Sequence, residues 1–356
     1  MSGIWGNNIK LSIFGESHGK AIGINIDGLE PGIELDLDYI NKEMGRRAPG
    51  KSKLATSRKE EDSFQILSGY FNGRTTGTPL CAIIYNTNQH SKDYEKTKNL
   101  MRPSHGDFTG YIKYKGFNDY RGGGHFSGRI TAPLVFAGAV CKQILEKKGI
   151  VIGSHIKSIG KLEDKSFNMV DIDEKVLITL RENLFPTIDE KIALKMKDII
   201  IKAREEKDSV GGVIETAVIN LPVGIGEPFF DSVESTLAQL LFSIPAVKGV
   251  EFGSGFHITE LKGSEANDEY YMDGDKVRTY SNNNGGVLGG ITNGMPLVFR
   301  VAIKPTPSIS KVQRTIDIDS GKNREMEIIG RHDPCIVPRA LPVVEAAAAI
   351  AILDLC

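Results

Sequence analysis

Histidines in glycine-rich segments are the side chains of this sequence best suited to proton transfer. Four of the seven histidines lie in such segments: His18 in GESHG, His105 in RPSHGD, His125 in RGGGHFSGR and His332 in GRHDP. Imidazole titrates near neutral pH, so it can protonate a leaving group or a reduced cofactor. A single such histidine is more often a turn or packed residue, but four together predict a catalytic site. HxH, HExxH and CxxC spacings are absent, so we predict no metal site.

Arginines accompany these histidines. Arg121 and Arg129 bracket a triple glycine, and Arg331 precedes His332. Guanidinium groups match carboxylate and phosphate, and glycine loops add backbone N–H donors. With 44 basic against 45 acidic residues the net charge is only −1, which argues against nucleic acid or a membrane surface as partner. We therefore predict a small ligand that carries several negative charges.

The elements that must position these residues follow no regular βαβ rhythm, which favours an α+β fold. Strands are predicted over residues 10–14, 21–26, 64–67, 80–85, 211–221 and 297–303, and helices over 36–47, 131–148, 189–207, 230–242 and 342–353. Asp36 is the expected N-cap of the first helix, and the last helix, almost entirely Val, Ala and Ile, is expected to be buried. Residues 92–124 contain no long element and form an expected functional loop.

Two segments resemble each other. GGGHFSGRITAPLVFAGAV and GRHDPCIVPRALPVVEAAAA both run from a Gly/His/Arg loop into an alanine-rich helix. The similarity indicates either an internal duplication with intertwined halves or convergence on a tight loop that leads into a buried helix.

The composition, 40% apolar and 25% charged, is ordinary for a soluble globular chain of 356 residues. Length alone is typical of about two domains. No apolar run approaches the roughly 20 residues that span a bilayer, and the N-terminus lacks a signal-peptide pattern. We expect a cytoplasmic protein.

Neither GxxxxGK[ST] nor a strand-linked GxGxxG is present, so a nucleotide-type cofactor would need another kind of loop. The candidates are SIPAVKGVE (243–251), NNNGGVLGG (282–290) and KPTPS (304–308), each of which could equally be an ordinary turn.

Eight segments, in the same order, resemble the chorismate synthase family over nearly the whole chain. They are GESHG (15–19), RRAPG (46–50), RPSHGD (102–107), DYRGGGHFSGR (119–129), SIPAVKGVE, GGVLGGITNG (285–294), KPTPS and GRHDPC (330–335). The resemblance implies conversion of 5-enolpyruvylshikimate 3-phosphate to chorismate and phosphate by anti-1,4-elimination, with reduced FMN as cofactor. It also implies one α+β domain over residues 1–356, with a helical core between antiparallel sheets, assembled as a homotetramer.

The same resemblance implies roles for individual residues. His18 protonates the departing phosphate, His105 protonates the reduced flavin, and Asp333 assists removal of the ring proton through the flavin. Ser17 and Ser127 relay protons. Arg47, Arg129 and Arg339 bind the substrate anions. The implied FMN contacts are His125, Phe126, Ser127, Pro245, Ala246, Gly289, Lys304, Pro305, Thr306, Pro307, Ser308 and Arg331.

The chain departs from many members of the family at His125-Phe126, where an Arg-Ser pair is common. The insertions of members with their own NAD(P)H-dependent reductase are absent, so we expect a separate flavin reductase and only an indirect role for NAD(P)H. The residues alone leave two other readings open: a flavin-independent phosphate-ester lyase or phosphotransferase, and a non-catalytic phosphometabolite- or RNA-binding protein.

Overall fold

Alternating apolar residues in the N-terminal strands build the first sheet. In the computed structural model, which describes residues 3–50, 62–87, 95, 97–328 and 332–356, this antiparallel sheet has the strand order β1-β2-β3-β7-β4. Ile22, Ile24 and Ile26 of β3 are fully buried against the helices. The strands of the described residues are β1 Ile4–Trp5, β2 Lys10–Gly15, β3 Ala21–Asp27, β4 Phe64–Ser68, β5 Tyr70–Phe71, β6 Arg74–Thr75, β7 Leu80–Tyr85, β8 Val151–Ile159, β9 Leu162–Glu163, β10 Gly212–Ile219, β11 Val247–Phe252, β12 Tyr270–Asp273, β13 Lys276–Thr279, β14 Val287–Leu288, β15 Ile291–Thr292, β16 Leu297–Ile303, β17 Gln313–Asp317 and β18 Lys322–Met326.

A second antiparallel sheet has the order β11-β16-β10-β8-β9. Between the two sheets lies a layer of helices in which α3 and α8 pack against each other, α3 contacts the first sheet and α8 contacts the second. This arrangement confirms the predicted α+β fold with a helical core between antiparallel sheets. The helices are α1 Leu37–Arg47, α2 Asp107–Lys113, α3 Thr131–Lys147, α4 Glu174–Glu182, α5 Glu190–Glu205, α6 Val233–Ser243, α7 Gly263–Ala266 and α8 Val337–Leu355.

The two central helices approach closely because of one glycine. A Cβ at Gly138 of α3 would lie 2.2 Å from the Cβ of Ala346 of α8, so no larger residue fits there. The two similar segments of the sequence lead into these two helices. Their origin by duplication stays a prediction.

Buried charges tie the helical layer together. Glu345 of α8 accepts hydrogen bonds from Arg46 of α1 and Lys142 of α3, and Glu43 of α1 binds the same two cations. Burial would raise the pKa of Glu345, but the adjacent cations lower it far below its ordinary range. Four buried charges therefore neutralise one another in pairs, as buried ions must.

Most predicted helices and strands are present with shifted ends. Asp36 caps α1 as predicted, with its carboxylate accepting from Asp38 N and Tyr39 N. The prediction that the last helix begins at Pro342 was wrong: α8 begins at Val337, and Pro342 lies inside it. Strand β8 was not predicted, because Ser154 and His155 are buried polar residues that interrupt its apolar pattern. Within the described residues, no helix is long and apolar enough to cross a membrane.

The outer face of the second sheet holds a buried histidine between carboxylates. His155 Nε2 lies 2.9 Å from Glu215 Oε2, and its Nδ1 lies 3.3 Å from Asp164 Oδ2. Burial alone would lower the pKa of His155, but the two carboxylates outweigh it and raise the pKa above its ordinary value. His155 is therefore protonated and stabilising over the lower part of the neutral range.

Replacement of this histidine gives a pH-dependent stability difference. A raised folded-state pKa means that the contribution of His155 is complete below the unfolded pKa of about 6.5 and is lost as pH rises through the folded pKa. We expect the difference in unfolding free energy between the native chain and His155→Gln, measured in urea titrations, to be largest below about pH 6.5 and to shrink as pH rises above it. Exposed His257, replaced by Gln, is the control. A difference that grows with pH would contradict this assignment.

Candidate active site

One cavity of about 1110 Å³ opens where the N-termini of α3 and α8 meet the loops that follow β2 and precede α2. Helix N-termini carry partial positive charge and favour anions. The volume exceeds the range of about 300–1,000 Å³ usual for one small ligand. The predicted site residues that line the cavity are His18, Arg47, His105, His125, Phe126, Ser127, Arg129, Pro245, Ala246, Lys304, Thr306, Pro307, Ser308, Asp333 and Arg339.

His18 is fixed by the triple-glycine loop. A Cβ at Gly122, where φ is +62°, would lie 2.1 Å from the His18 ring, so only glycine allows this contact. Ser17 Oγ lies 3.2 Å from His18 Nδ1 and donates to the Arg121 carbonyl at 3.3 Å. Because the hydroxyl has one proton, Nδ1–H of His18 donates to Ser17, and Nε2 is the nitrogen that can transfer a proton.

His105 rests on the next glycine and is oriented by Asp107. A Cβ at Gly123 would lie 3.0 Å from the His105 ring. His105 Nδ1 donates to Asp107 Oδ1 at 2.7 Å, and Arg102 holds the same carboxylate through Nε and Nη2, both at 2.7 Å. Burial would raise the pKa of Asp107, but hydrogen bonds from Arg102 and His105 hold it well below its ordinary range. The ionised carboxylate fixes the tautomer of His105 with Nε2 available to a ligand.

Asp333 lies at the start of α8, where it pairs with Arg339. Arg339 Nε in turn donates to the carbonyl of Arg47 at 3.1 Å, so these charged groups form a continuous chain along the cavity. His332 also lines the cavity. Burial and the nearby Arg102 lower the pKa of His332 to about 4, which keeps this imidazole neutral. Its Nε2 is buried and has no partner among the described residues.

Arg47 and Arg129 share one carboxylate. Asp62 accepts from Arg47 Nε at 2.8 Å and from Arg129 Nη1. Arg47 Nη1 also donates to the Gly128 carbonyl and to Thr131 Oγ1, each at 3.2 Å. Both guanidinium groups are almost completely buried yet reach the cavity wall. Two fixed cations at the N-terminus of α3 make this wall an anion site.

The opposite wall is apolar and has a strained backbone. Ile244, Pro245 and Ala246 connect α6 to β11, and Ala246 has a φ of +76°, which residues with a Cβ rarely adopt. Ser104, next to His105, has a φ of +58°. Lys304 lies beside them and donates to the Ser104 carbonyl at 2.6 Å. Strain of this kind typically marks ligand contacts.

The chain-specific pair His125-Phe126 has a local structural role. His125 Nδ1 donates to the Gly15 carbonyl at 2.8 Å. The Phe126 ring covers Gly106 and Gly110 at the start of α2, where a Cβ on Gly110 would lie 2.7 Å from that ring. Phe126 therefore braces the helix that carries Asp107.

Three predicted site residues lie off the cavity wall of the described residues. Ser17 contacts the ligand site only through His18, Pro305 packs against Gly211, and Gly289 lies in the turn between β14 and β15 with open space at its Cα. Arg331 lies outside the described residues. Sequence reasoning missed Asp62, Arg102 and Asp107. The last two belong to the RPSHGD segment and could have been found there.

Histidines, a carboxylate and arginines thus line one cavity of an α+β fold, an arrangement typical of an enzyme active site. A family model described as chorismate synthase matches residues 9–356. Proteins named chorismate synthase from Dehalococcoides mccartyi, Methanocaldococcus jannaschii and Pyrococcus abyssi are 47%, 48% and 49% identical, over 100%, 99% and 98% of this chain and 96%, 95% and 96% of their own lengths. A solved structure titled "Crystal Structure of Chorismate Synthase" matches with a TM-score of 0.77 and 32% identity, over 99% of this chain and 92% of that chain. The chain belongs to the chorismate synthase family, and it is a carbon–oxygen lyase.

Proposed function

We propose that this enzyme converts 5-enolpyruvylshikimate 3-phosphate to chorismate and inorganic phosphate by a 1,4-anti elimination that requires reduced FMN. The observation that carries the proposal is the placement of His18 and His105 on consecutive glycines, Gly122 and Gly123, inside a cavity that also contains Asp333. Two proton-transfer groups and one carboxylate at one arginine-lined cavity match the requirements of an elimination of phosphate.

The described residues are compatible with a bound flavin. The cavity is larger than one small substrate needs, and the apolar surface of Pro245, Ala246 and Val343 suits a planar ring. Another of the candidate segments, KPTPS, supplies Lys304, Thr306, Pro307 and Ser308 to the same wall. Lys304 and Lys248 add cationic groups for a phosphate end, and burial, together with the nearby Lys248, lowers the pKa of Lys304. When bound, reduced FMN supplies transient electron density that weakens the C–O bond and is recovered at the end of the turnover.

The protein supplies charge neutralisation and a proton for the leaving group. The anionic groups of the substrate are held by Arg47, Arg129 and Arg339. Asp62 fixes the positions of the first two arginines, and Asp333 fixes that of the third. As the C–O bond breaks, phosphate departs with its bonding electrons, and His18 Nε2 gives it a proton. Ser17 keeps the His18 ring in the orientation that this transfer needs.

Two further groups handle the remaining protons. Asp333 is the carboxylate that assists removal of the ring proton, and the adjacent Arg339 keeps that carboxylate oriented. His105, whose Nδ1–H donates to Asp107, presents Nε2 to the cofactor side of the cavity, and the imidazolium form of the ring donates a proton there. The sum is loss of one ring proton and one phosphate, with no net oxidation.

Some features of the proposal concern the whole protein. We propose one domain over residues 1–356, a homotetramer, a cytoplasmic location and a separate flavin reductase as the source of reduced FMN. Gly289 does not line the cavity of its own chain. A role for Gly289 in cofactor binding would therefore depend on a neighbouring subunit of the homotetramer.

The decisive experiment combines the enzyme with photoreduced FMN and substrate under anaerobic conditions. We expect release of inorganic phosphate together with a transient change in flavin absorbance in stopped flow. The matched sample lacks flavin. Turnover at the same rate without flavin would overturn the cofactor assignment in favour of a flavin-independent lyase, and binding of random RNA without phosphate release would favour the non-catalytic reading.

A further inference from the structure

We infer that Asp62 is a positioning residue that holds Arg47 and Arg129 as one rigid anion-binding pair. The inference rests on the proposed function, since it concerns the substrate-binding wall of that cavity. Asp62 contacts both guanidinium groups, and its side chain is only 1% exposed. It does not line the cavity, whereas both arginines do. Any effect of Asp62 on a ligand must therefore pass through the arginines.

The charges explain why the pair needs a shared carboxylate. Two buried guanidinium groups at the same wall repel each other, and burial of either without a counter-ion is costly. Asp62 offsets part of this positive charge while both guanidinium groups stay at the cavity wall, where an oxyanion of the substrate can bind. Burial would raise the pKa of Asp62, but Arg47 and Arg129 hold it below its ordinary value. The carboxylate is thus ionised throughout the working range.

The remaining contacts show that both arginines are fixed in orientation. Arg47 is held by the Gly128 carbonyl and by Thr131 at the N-terminus of α3. Arg129 Nε donates to Asn86 Oδ1, at the end of β7, at 3.1 Å. Asp62 closes the arrangement by joining the two. Loss of its charge would let the guanidinium groups separate without exposing a new surface to the ligand.

The fold contains a matched control. Glu43 is also a buried carboxylate shared by two cations, at 2.9 Å from Arg46 and 2.7 Å from Lys142. None of these three residues lines the cavity. A substitution of Glu43 therefore tests the cost of removing a buried charge without disturbing the anion site.

The experiment compares Asp62→Asn with Glu43→Gln in the complete enzyme. We expect Asp62→Asn to raise the KM for the substrate at least ~10-fold and to change kcat less than about threefold, because ground-state binding is weakened. Inorganic phosphate, tested by isothermal titration calorimetry, should bind at least ~10-fold more weakly as well. Glu43→Gln should lower Tm and leave both KM and phosphate affinity unchanged. Asp62→Glu, which retains the charge but displaces it, should act in the same direction as Asp62→Asn and serves if the latter fails to fold.

A folded Asp62 variant with native KM and native phosphate affinity would overturn the inference. The phosphate measurement also separates the two proposals. If the native enzyme binds phosphate but does not convert the substrate, the proposed function fails, while the comparison of phosphate affinities still decides the role of Asp62.

Discussion

His105→Ala is expected to lower kcat by at least ~100-fold, the usual cost of losing a positioned acid–base group. The ring is held by Asp107 at 2.7 Å and lies on Gly123, so its removal takes away a proton-transfer atom without removing a packing contact of the core. FMN affinity, measured by quenching of flavin fluorescence, should stay within about threefold, because no charge that holds the cofactor is lost. Steady-state turnover with reduced FMN measures the effect.

The control for this substitution is another histidine with a carboxylate partner. His257 lies 3.1 Å from Glu260, its side chain is 64% exposed, and it does not line the cavity. His257→Ala should retain native kcat. Full activity of a folded His105→Ala variant would remove this residue from the catalytic group.

The predictable part of the fold is the part in which local pattern and tertiary environment agree. Helix α1 has a side-chain cap at Asp36 and basic residues in its last turn, so its sequence marks both ends. In β8, by contrast, His155 is buried because Asp164 and Glu215 surround it. Glu215 comes from β10, 60 residues away, and Asp164 follows β9, so the pattern of β8 itself does not reveal them.

The candidate site also contains some residues that the sequence identifies and others that only the folded structure reveals. Glycine-rich segments identified His18, His105 and Asp333, and the structure brings them to one cavity. Asp62 is the last residue of a polar stretch, EED, that has the composition of an ordinary surface loop. Its role depends on two arginines that arrive from α1 and from the start of α3, a meeting that exists only in the folded chain.

Asp333→Asn is expected to lower kcat at least ~100-fold, since the carboxylate that assists removal of the ring proton is lost. Arg339 simultaneously loses its anionic partner. A guanidinium released in this way binds substrate anions at least as well as before, so KM should stay unchanged or fall. Steady-state kinetics with reduced FMN give both parameters.

The contrast with Asp62→Asn makes this result diagnostic. Arg339 Nε donates to the Arg47 carbonyl, so Asp62 and Asp333 belong to one chain of contacts, yet we expect one variant to change KM and the other kcat. Asp354→Asn is the matched control, because Asp354 is a buried carboxylate of the same helix α8 that accepts backbone N–H groups from Asn7, Asn8 and Ile9, and none of these residues lines the cavity. It should lower Tm and leave kcat native. A folded Asp333→Asn variant that keeps kcat within about threefold would show that proton removal does not depend on this carboxylate, and Arg339 would then remain as an anion contact alone.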